Sequence, residues 1–325
     1  MPKRFSASEY IDGILAGNRV LLSRAITLVE STLPSDQALA QQVLDAVLPH
    51  AGRSVRVGIT GVPGVGKSTF IEALGLHLVR EQGKRLAVLA VDPSSQRSGG
   101  SILGDKTRMN ELAAHPQAFI RPSPAGRSLG GVTRSTREAL VLCEAAGHDV
   151  IFVETVGVGQ SETAVHGMVD FFLLLMLAGA GDELQGIKKG IMEMADAVTI
   201  TKADGGNELA ARRARAEYQN ALHLFPLAPS QWNPVVTTSS AVTGAGVPAV
   251  WEVIGQYVQQ TQASGYFQRR RQEQNLHWLH ETIREALETR FYQRPDVAQR
   301  LPDIRQQVMD GRKSAFGAAG ELLGL

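Results

Sequence analysis

The sequence predicts an α/β fold in which helices flank a doubly wound, mostly parallel sheet. Two observations carry this prediction. From residue 55 onward, short apolar runs alternate with helical patterns, and glycine-rich or polar loops follow the runs. The 325 residues also suffice to bury a full α/β core. We therefore expect an N-terminal helical extension at 1–50, the sheet domain at 51–262 and a C-terminal helical arm at 263–325.

The elements follow one another in a regular order. Apolar residues recur at helical spacing in 6–16, 18–31 and 35–48, and the third helix is expected to begin at a Ser35-Asp36 cap. The expected strands are Val55–Thr60, Leu86–Val91, Val150–Val153, Phe171–Leu177, Ala197–Thr201 and Val235–Thr238. A long helical pattern, 268–289, opens the C-terminal arm. In such sheets ligands bind at the carboxyl ends of the strands.

Composition argues against several classes of protein. The net charge of +1 gives no electrostatic footprint for nucleic acid or an acidic membrane. Cys143 is the single cysteine, so it excludes an internal disulfide and fits a reducing compartment; we expect it to be buried. The apolar run 171–178 is far shorter than the ~20 residues that cross a bilayer. A cytoplasmic location is expected.

The segment Gly61-Val-Pro-Gly-Val-Gly-Lys-Ser68 has the pattern of a phosphate-binding loop. Its glycines let backbone N–H groups converge on a phosphate, Lys67 reaches the β- and γ-phosphates, and the Ser68 hydroxyl serves Mg²⁺. A strand pattern precedes the loop, and a helix follows whose N-terminal dipole favours the anion. The expected phosphate-binding residues in this loop are Gly61, Gly64, Val65, Gly66, Lys67, Ser68 and Thr69.

A second motif favours guanine over adenine. Asp204, in Thr201-Lys-Ala-Asp204, can accept from the adjacent N1–H and amine of guanine, while the stem of Lys202 packs over the base. The backbone of Ser240-Ala241, after a later strand, is expected near the guanine oxygen. Thr201 stands where many GTPases have an asparagine that braces the phosphate loop, so we expect weaker bracing without loss of specificity.

Three acids are candidates for the metal and the attacking water. Glu154, in Glu-Thr-Val-Gly157, closes a strand where GTPases keep an acid near Mg²⁺, and the Gly157 amide would reach the γ-phosphate. Asp92 follows the strand 86–91, although it can also simply start a β-turn before Pro93. Asp105 is the third acid, and alone it would be read as a helix cap.

The hydrolytic water has no obvious orienting residue. Val158 occupies the position of the water-orienting glutamine of many signalling GTPases, which predicts slow intrinsic hydrolysis that a partner stimulates. Gln160 is equally interpretable as a substitute or as a loop-packing amide. The glycine-rich loop 179–189 starts at the end of a buried strand; its composition suits a mobile loop that brings polar groups to the phosphates, or a flexible connector.

Longer motifs closely resemble the MeaB/ArgK family of P-loop GTPases, which act as chaperones of adenosylcobalamin-dependent acyl-CoA mutases, above all methylmalonyl-CoA mutase. They are 91–95, 99–109, 154–162 and 179–190, and the likeness is weakest after Gly265. The resemblance implies a P-loop GTPase core, a C-terminal dimerisation arm and a homodimer. It also implies that GTP hydrolysis gates cofactor loading and protects or reactivates the mutase.

Residue by residue, the resemblance implies three groups. Lys67 and Ser68 serve phosphate and Mg²⁺, with Asp92, Asp105 and Glu154 around the metal. Lys202, Asp204 and the Ser240-Ala241 backbone hold guanine. Asp182, Gln185 and Lys188 belong to an additional switch loop, and the catalytic set is Lys67, Asp92, Glu154 and Lys188. The ligands would be GTP or GDP with Mg²⁺, without directly bound cobalamin, and neither nucleic acid nor membrane is an expected partner.

Two other functions were weighed. A metabolic or protein kinase needs an acceptor site, which is not identifiable here, and the guanine motif argues against use of ATP. A nickel-insertion GTPase needs clustered soft or imidazole ligands, whereas the eight histidines are scattered and Cys143 has no partner cysteine.

Overall fold

The computed structural model describes residues 5–91, 109–122, 129–155, 161–179 and 189–324. The chain divides into two compact units, Met1–Arg271 and Gln272–Leu325. In the described ranges, every helix falls short of the length and apolar character needed to cross a membrane.

The first unit is built on a sheet of parallel strands. Across the described residues the strands are β1 (Val55–Gly61), β2 (Leu86–Val91), β3 (Ala118–Arg121), β4 (Val150–Thr155), β5 (Phe171–Leu177), β6 (Ala197–Thr201) and β7 (Val235–Thr238). They lie in the order β3-β2-β4-β1-β5-β6-β7, and each neighbouring pair is parallel. The predicted α/β doubly wound fold is confirmed. The four-residue strand β3 was not expected from the sequence.

Helices surround and extend the sheet. They are α1 (Ala7–Leu15), α2 (Arg19–Val29), α3 (Pro34–Val47), α4 (Lys67–Arg80), α5 (Asn110–Ala114), α6 (Leu129–Ala145), α7 (Ser161–His166), α8 (Lys189–Met194), α9 (Glu208–Leu222), α10 (Val247–Ala263), α11 (Tyr266–Gln293), α12 (Pro295–Met309) and α13 (Ala315–Leu323). Helices α1 to α3 contact one another and α6, so they add a further helical layer to the first unit.

The N-terminal helices begin at residues suited to helix starts. Ser6 caps α1 in a capping box with Glu9, and the side chain of Asn18 caps α2. The expected Ser35-Asp36 cap of α3 is wrong: the helix begins at Pro34 and has no side-chain cap. Proline suits this first position because its φ is already helical. It lacks an N–H, but an N–H at this position would have no partner within the helix. Asp36 instead accepts a hydrogen bond of 2.7 Å from the Ser31 hydroxyl.

The central strand β1 is buried on both faces of the sheet. On one face α4 and α10 pack against it, and the ring of Tyr257 meets Phe171 and Trp232 edge-on, at centroid distances of 5.0 and 5.6 Å. On the other face α7 approaches β1 closely at Gly58. A Cβ there would lie 3.0 Å from Val165 Cγ1, so only glycine admits this helix without displacement.

The strand register brings the motif residues together at the carboxyl ends of the strands. Gly61 at the end of β1 lies beside Leu175 of β5, and Thr201 at the end of β6 lies beside Leu177. Glu154 of β4 pairs with Ile59 of β1. Because parallel strands all end at the same side, the phosphate loop, Glu154 and Thr201 converge there.

The amino ends of the strands carry a buried ionic network. The guanidinium of Arg56 on β1 donates twice, at 2.9 Å each, to Glu144 of α6. The guanidinium of Arg271 on α11 donates twice, at 2.7 Å each, to Asp170, which also accepts from the Arg56 backbone N–H. Arg271 further donates to the carbonyls of Gly52 and Ser54. These bidentate contacts fix the first turns of α11 below the phosphate-loop strand.

The edge strand β7 is covered by side chains of α9. Gln219 accepts a hydrogen bond from the Val236 N–H at 2.9 Å and donates to the Pro234 carbonyl at 3.2 Å. Arg215 donates to the Val236 carbonyl at 3.0 Å. These two side chains occupy the outward-facing backbone groups at Pro234 and Val236.

The second unit has a small core of its own. Val297 and Ile304 of α12 pack against Ala318 and Leu322 of α13. The part of α11 in this unit exposes a row of apolar side chains, namely Leu276, Leu279, Ile283 and Leu287. Their spacing of three or four residues places them on one helix face.

Candidate nucleotide-binding site

The phosphate loop joins β1 to α4. Gly66 caps the helix with a φ of +90°, a left-handed conformation that glycine adopts without strain. Val65 is buried in the core beneath the loop and anchors it. Lys67 Nζ donates to the Gly61 carbonyl at 2.8 Å, and the Val62 carbonyl lies 3.4 Å from the same atom. The ammonium group is thereby held across the mouth of the loop.

Opposing effects act on the pKa of Lys67. Burial lowers the pKa of this amine, while the carboxylates of Glu154 and Glu162 act in the opposite direction. Two buried acids therefore act on one half-buried cation. A polyphosphate bound to this loop would supply the negative charge that Lys67 otherwise draws from these side chains.

Ser68 and Glu154 form the candidate metal position. The Ser68 hydroxyl donates to Glu154 Oε1 at 3.2 Å, and both side chains are buried. A hydroxyl and a carboxylate are hard oxygen donors of the kind that Mg²⁺ prefers, so this donor set fits that ion. Behind them, the Thr155 hydroxyl donates to the Thr60 hydroxyl at 2.7 Å and ties the ends of β4 and β1 together.

Thr201 contacts the phosphate loop directly. Its hydroxyl donates to the Val65 carbonyl at 2.8 Å and lies 3.3 Å from the Met176 carbonyl. The residue is almost completely buried at the end of β6. The bracing contact expected of an asparagine at this position is thus made by a hydroxyl group.

Lys202 and Asp204 lie beside the phosphate loop. Lys202 has a φ of +54°, and its Nζ donates to the Gly64 carbonyl at 2.9 Å, so its stem crosses the region next to the loop. Asn207 donates to the Lys202 carbonyl and fixes this turn. The Asp204 side chain is half-buried and accepts a hydrogen bond from the Ser240 hydroxyl.

The segment after β7 supports Asp204. The hydroxyl of buried Ser240 donates to Asp204 and accepts from the Thr243 N–H at 3.0 Å, while the Ser240 N–H donates to the Ala245 carbonyl. With its amide engaged inside the loop, Ser240 acts on the site through its side chain.

Several predicted site residues lie outside the described ranges. They are Asp92, Asp105, Gly157, Asp182, Gln185 and Lys188. Of the others, the structure brings Gly61, Gly64, Val65, Gly66, Lys67, Ser68, Glu154, Lys202 and Asp204 to the same edge of the sheet, with Ser240 and Ala241 following β7; Thr69 is exposed on α4.

Sequence reasoning missed three contributions. The Ser240 hydroxyl was overlooked because the motif suggested only a backbone role. The Thr201 brace was undervalued because its reach depends on the register of β6. Glu162 lies in the motif 154–162, but its burial at the start of α7 follows from the packing of that helix and was not evident from spacing alone.

The sequence matches the family model described as "Methylmalonyl Co-A mutase-associated GTPase MeaB" over residues 22–296. A protein of Mycobacterium tuberculosis named "Probable GTPase" is 52% identical over 319 residues, which are 97% of this chain and 95% of the relative. The mouse protein named "Methylmalonic aciduria type A homolog, mitochondrial" is 48% identical over 321 residues, covering 96% of this chain and 77% of the relative.

A solved structure agrees with these matches. The structure described as the LAO/AO transport system kinase superposes with a TM-score of 0.78 at 40% identity, over 100% of this chain and 98% of that chain. The family resemblance read from motifs 91–95, 99–109, 154–162 and 179–190 is confirmed.

Proposed function

Because the chain belongs to the MeaB family of methylmalonyl-CoA mutase-associated GTPases, and is therefore a GTPase, we propose that it is a chaperone of an adenosylcobalamin-dependent acyl-CoA mutase. GTP hydrolysis would gate cofactor loading and protect or reactivate the mutase. Methylmalonyl-CoA mutase is the favoured client. The family match over residues 22–296 carries this proposal, and the 48% identity to the mouse relative supports it.

We assign the nucleotide contacts as follows. The loop from Gly61 to Thr69 and the Gly157 amide bind the phosphates, and Lys67 neutralises charge that develops on them. Ser68 and Glu154 would hold Mg²⁺, with Asp92 and Asp105 nearby. Bound there, the ion would polarise a phosphoryl oxygen. The 3.2 Å contact between Ser68 and Glu154 supports this assignment.

Guanine selectivity is assigned to Asp204, oriented by Ser240, with Lys202 along the base and the Ala241 amide at the guanine oxygen. The hydrogen bond from Ser240 to Asp204 supports this arrangement. Asp182, Gln185 and Lys188 are proposed as a switch loop that reports nucleotide state to the mutase, and Lys188 is proposed to assist hydrolysis. The buried free thiol of Cys143 is compatible with the reducing cytoplasm, where we place this activity.

The first experiment measures GTP turnover with and without purified methylmalonyl-CoA mutase, with ATP as the control nucleotide. We expect slow GTP hydrolysis that the mutase stimulates, and no ATP hydrolysis. Stimulation should persist in Glu217→Gln, an exposed acid on α9, and should be lost in Lys188→Ala at unchanged GTP affinity. GTP turnover that no acyl-CoA mutase alters would contradict the chaperone role while leaving the GTPase intact.

We also propose a homodimer that uses the apolar row of α11. Leu276, Leu279, Ile283 and Leu287 form an exposed stripe on one helix face, which is typical of a helix that associates with another helix. The double variant Leu279→Lys/Ile283→Lys is expected to sediment as a monomer. Leu224→Lys, at an exposed apolar residue after α9, is the matched control and should leave the sedimentation coefficient unchanged. A wild-type monomer at micromolar concentration would contradict the proposal.

A further inference from the structure

The unexplained feature of the site is Glu162, a carboxylate buried where charge is costly. The residue is only 3% exposed at the start of α7. Throughout the described ranges, the hydrogen bond that it receives is a long one, 3.3 Å from the Ser161 hydroxyl. Buried carboxylates are normally paired or strongly hydrogen-bonded, so this side chain needs another source of stabilisation.

The packing of α7 places Glu162 behind the phosphate loop. Val165 contacts β1 at Gly58, and Glu162 precedes Val165 by three residues on the same helix face. In a strand–helix–strand unit the helix runs antiparallel to the strands, so Glu162 lies one turn, about 5 Å, nearer the strand ends. At roughly 3.3 Å per strand residue, this brings it level with Ile59 and Thr60, just before the phosphate loop.

Lys67 approaches this level from the phosphate loop, at the residue after Thr60. Its Nζ lies 2.8 Å from the Gly61 carbonyl. Across the described residues, Lys67 forms no direct ion pair within 4.0 Å, and yet it is attracted by the carboxylates of Glu154 and Glu162. Glu154 exerts the larger attraction, but it also accepts a hydrogen bond from Ser68 and belongs to the candidate metal position, whereas Glu162 has no assigned role there.

We propose that Glu162 is the counter-charge of Lys67 in the nucleotide-free protein and that it sets the rate at which nucleotide leaves. When phosphates bind, Lys67 turns to them, and Glu162 is left as an uncompensated negative charge close to a polyanion. This repulsion raises the free energy of the bound state, most strongly when Mg²⁺ does not offset it. Glu162 acts by its charge, on Lys67 in the free protein and on the phosphates in the bound one, and touches no reacting atom, so it is not a catalytic residue. The proposal rests on the phosphate role assigned to Lys67.

The test measures release of a fluorescent GDP analogue from Glu162→Gln by stopped flow, in EDTA and in Mg²⁺. For unit charges about 7 Å apart at an effective dielectric of about 20, release is expected to slow roughly tenfold or more in EDTA. The slowing should be smaller in Mg²⁺, because the carboxylate also attracts the cation. A side chain that only supports folding would not produce tighter binding or this dependence on Mg²⁺.

Three controls make the result specific. Glu162→Asp keeps the charge and should release GDP within about twofold of wild type, since most of the Coulomb energy remains. Glu217→Gln removes an exposed acid on α9 and should leave release unchanged. Glu162→Ala is a second neutral variant, in case the glutamine variant does not fold, and should also release slowly.

The outcomes separate this proposal from the site assignment. Wild-type or faster release from both neutral variants, with GDP affinity lost in Lys67→Ala, would overturn the role of Glu162 and leave the phosphate site standing. Undiminished GDP affinity in Lys67→Ala would overturn the site assignment and this proposal together. Slow release from the neutral variants alone would support it.

Discussion

At the scale of single residues, the hydroxyl of Thr201 connects the guanine motif to the phosphate loop. It donates to the Val65 carbonyl at 2.8 Å from a buried position at the end of β6. Because this bond holds the loop backbone and touches no base, it should affect affinity for every nucleotide equally. A buried hydrogen bond of this kind contributes about 1 kcal/mol.

Thr201→Val is therefore expected to weaken GTP and GDP binding by roughly five- to tenfold and to leave the preference for guanine over adenine unchanged. Titration with fluorescent nucleotides measures both quantities. Thr199→Val is the matched control, because that hydroxyl, in the same strand, contacts Thr237 instead of the loop. A loss of guanine preference in Thr201→Val would contradict the bracing role.

Asp204 and Ser240 are the hydrogen-bonded pair to which we assign selectivity between nucleobases. Asp204→Asn exchanges an acceptor for a donor and is expected to weaken GTP binding by about 100-fold or more, since two hydrogen bonds to guanine are lost. The same variant should gain affinity for xanthosine triphosphate, whose base has a carbonyl in place of the guanine amine. Isothermal titration with both nucleotides is the measurement, and unchanged GTP affinity would reject the assignment.

The role of the Ser240 hydroxyl is tested separately. Ser240→Ala leaves Asp204 in place but removes the hydrogen bond that orients its carboxylate. We expect GTP binding to weaken by roughly tenfold, with the remaining affinity still selective for guanine. Competition between GTP and ATP measures this change. A loss as large as that of Asp204→Asn would mean that Ser240 does more than orient the acid.

At the scale of secondary-structure elements, the ionic network fixes the first turns of α11, up to Arg271, to the amino-terminal end of the sheet. Arg271 donates to both oxygens of Asp170 and to two backbone carbonyls. Arg271→Ala leaves the buried Asp170 charge without its main partner, which costs about 3–5 kcal/mol of unfolding free energy. Arg80→Ala breaks an exposed ion pair with Glu111 and is the control. Urea unfolding monitored by circular dichroism compares the two variants.

An equal and small effect of both variants would show that the network is not the anchor of α11. The replacement Arg271→Lys refines the result, because lysine keeps the charge but cannot form the bidentate contact with Asp170. It is expected to lie between wild type and Arg271→Ala in stability.

The strands that sequence predicted well share one property. The runs 86–91 and 171–177 are continuous and apolar, and 197–201 and 235–238 consist of alanine, valine, isoleucine and threonine. All four end at polar or glycine-rich loops, so their limits are visible without tertiary information. Ala118–Arg121 was missed because it has only four residues and ends in arginine. The start of α3 was misplaced because Ser35 and Asp36 are attractive caps, yet Pro34 already has helical geometry.

The same distinction decides which residues of the candidate site could be predicted from the sequence. Residues whose proposed roles depend on a motif, such as Lys67, Ser68 and Asp204, are recognisable because the backbone geometry that such a role needs dictates the spacing. Contacts between segments that lie far apart in the sequence are not recognisable in this way. The Thr201 hydroxyl reaches Val65 only through the pairing of β5 with β6, and the close packing of α7, which carries Glu162, depends on Gly58.

At the scale of the whole molecule, buried titratable groups predict how stability depends on pH. Burial lowers the pKa of His148 and of His166 to about 4, with Arg270 contributing at His166. In the unfolded chain these side chains titrate near 6.5. The unfolded state therefore binds more protons between these values, and stability falls as pH drops below about 6.5.

Asp196 acts in the opposite direction. Burial raises its pKa to about 6, although Arg270 partly offsets the effect. The folded state then binds more protons than the unfolded state, so this group favours folding on acidification, and its contribution disappears as pH rises through about 6. On acidification, the two histidines lower the free energy of unfolding by more than Asp196 raises it. The free energy of unfolding is expected to be about 2 kcal/mol lower at pH of about 5.5 than at about 7.5.

Urea unfolding at the two pH values measures this difference. His166→Gln removes one of the two imidazoles and should reduce the fall in stability by about 1 kcal/mol. His223→Gln, which removes an exposed imidazole after α9, is the control. Stability that rises on acidification in the wild type would contradict the balance of charges described above.

The covered edge of β7 has a consequence for the behaviour of the protein at high concentration. A free sheet edge is a template on which a strand of another molecule can add, and growth by such additions has no natural end. Gln219 and Arg215 already occupy the backbone groups of Pro234 and Val236 that such a strand would need. On this side, the sheet is closed by its own helix, so crowding does not favour open-ended polymerisation there. Any finite assembly on that side must use helix surfaces.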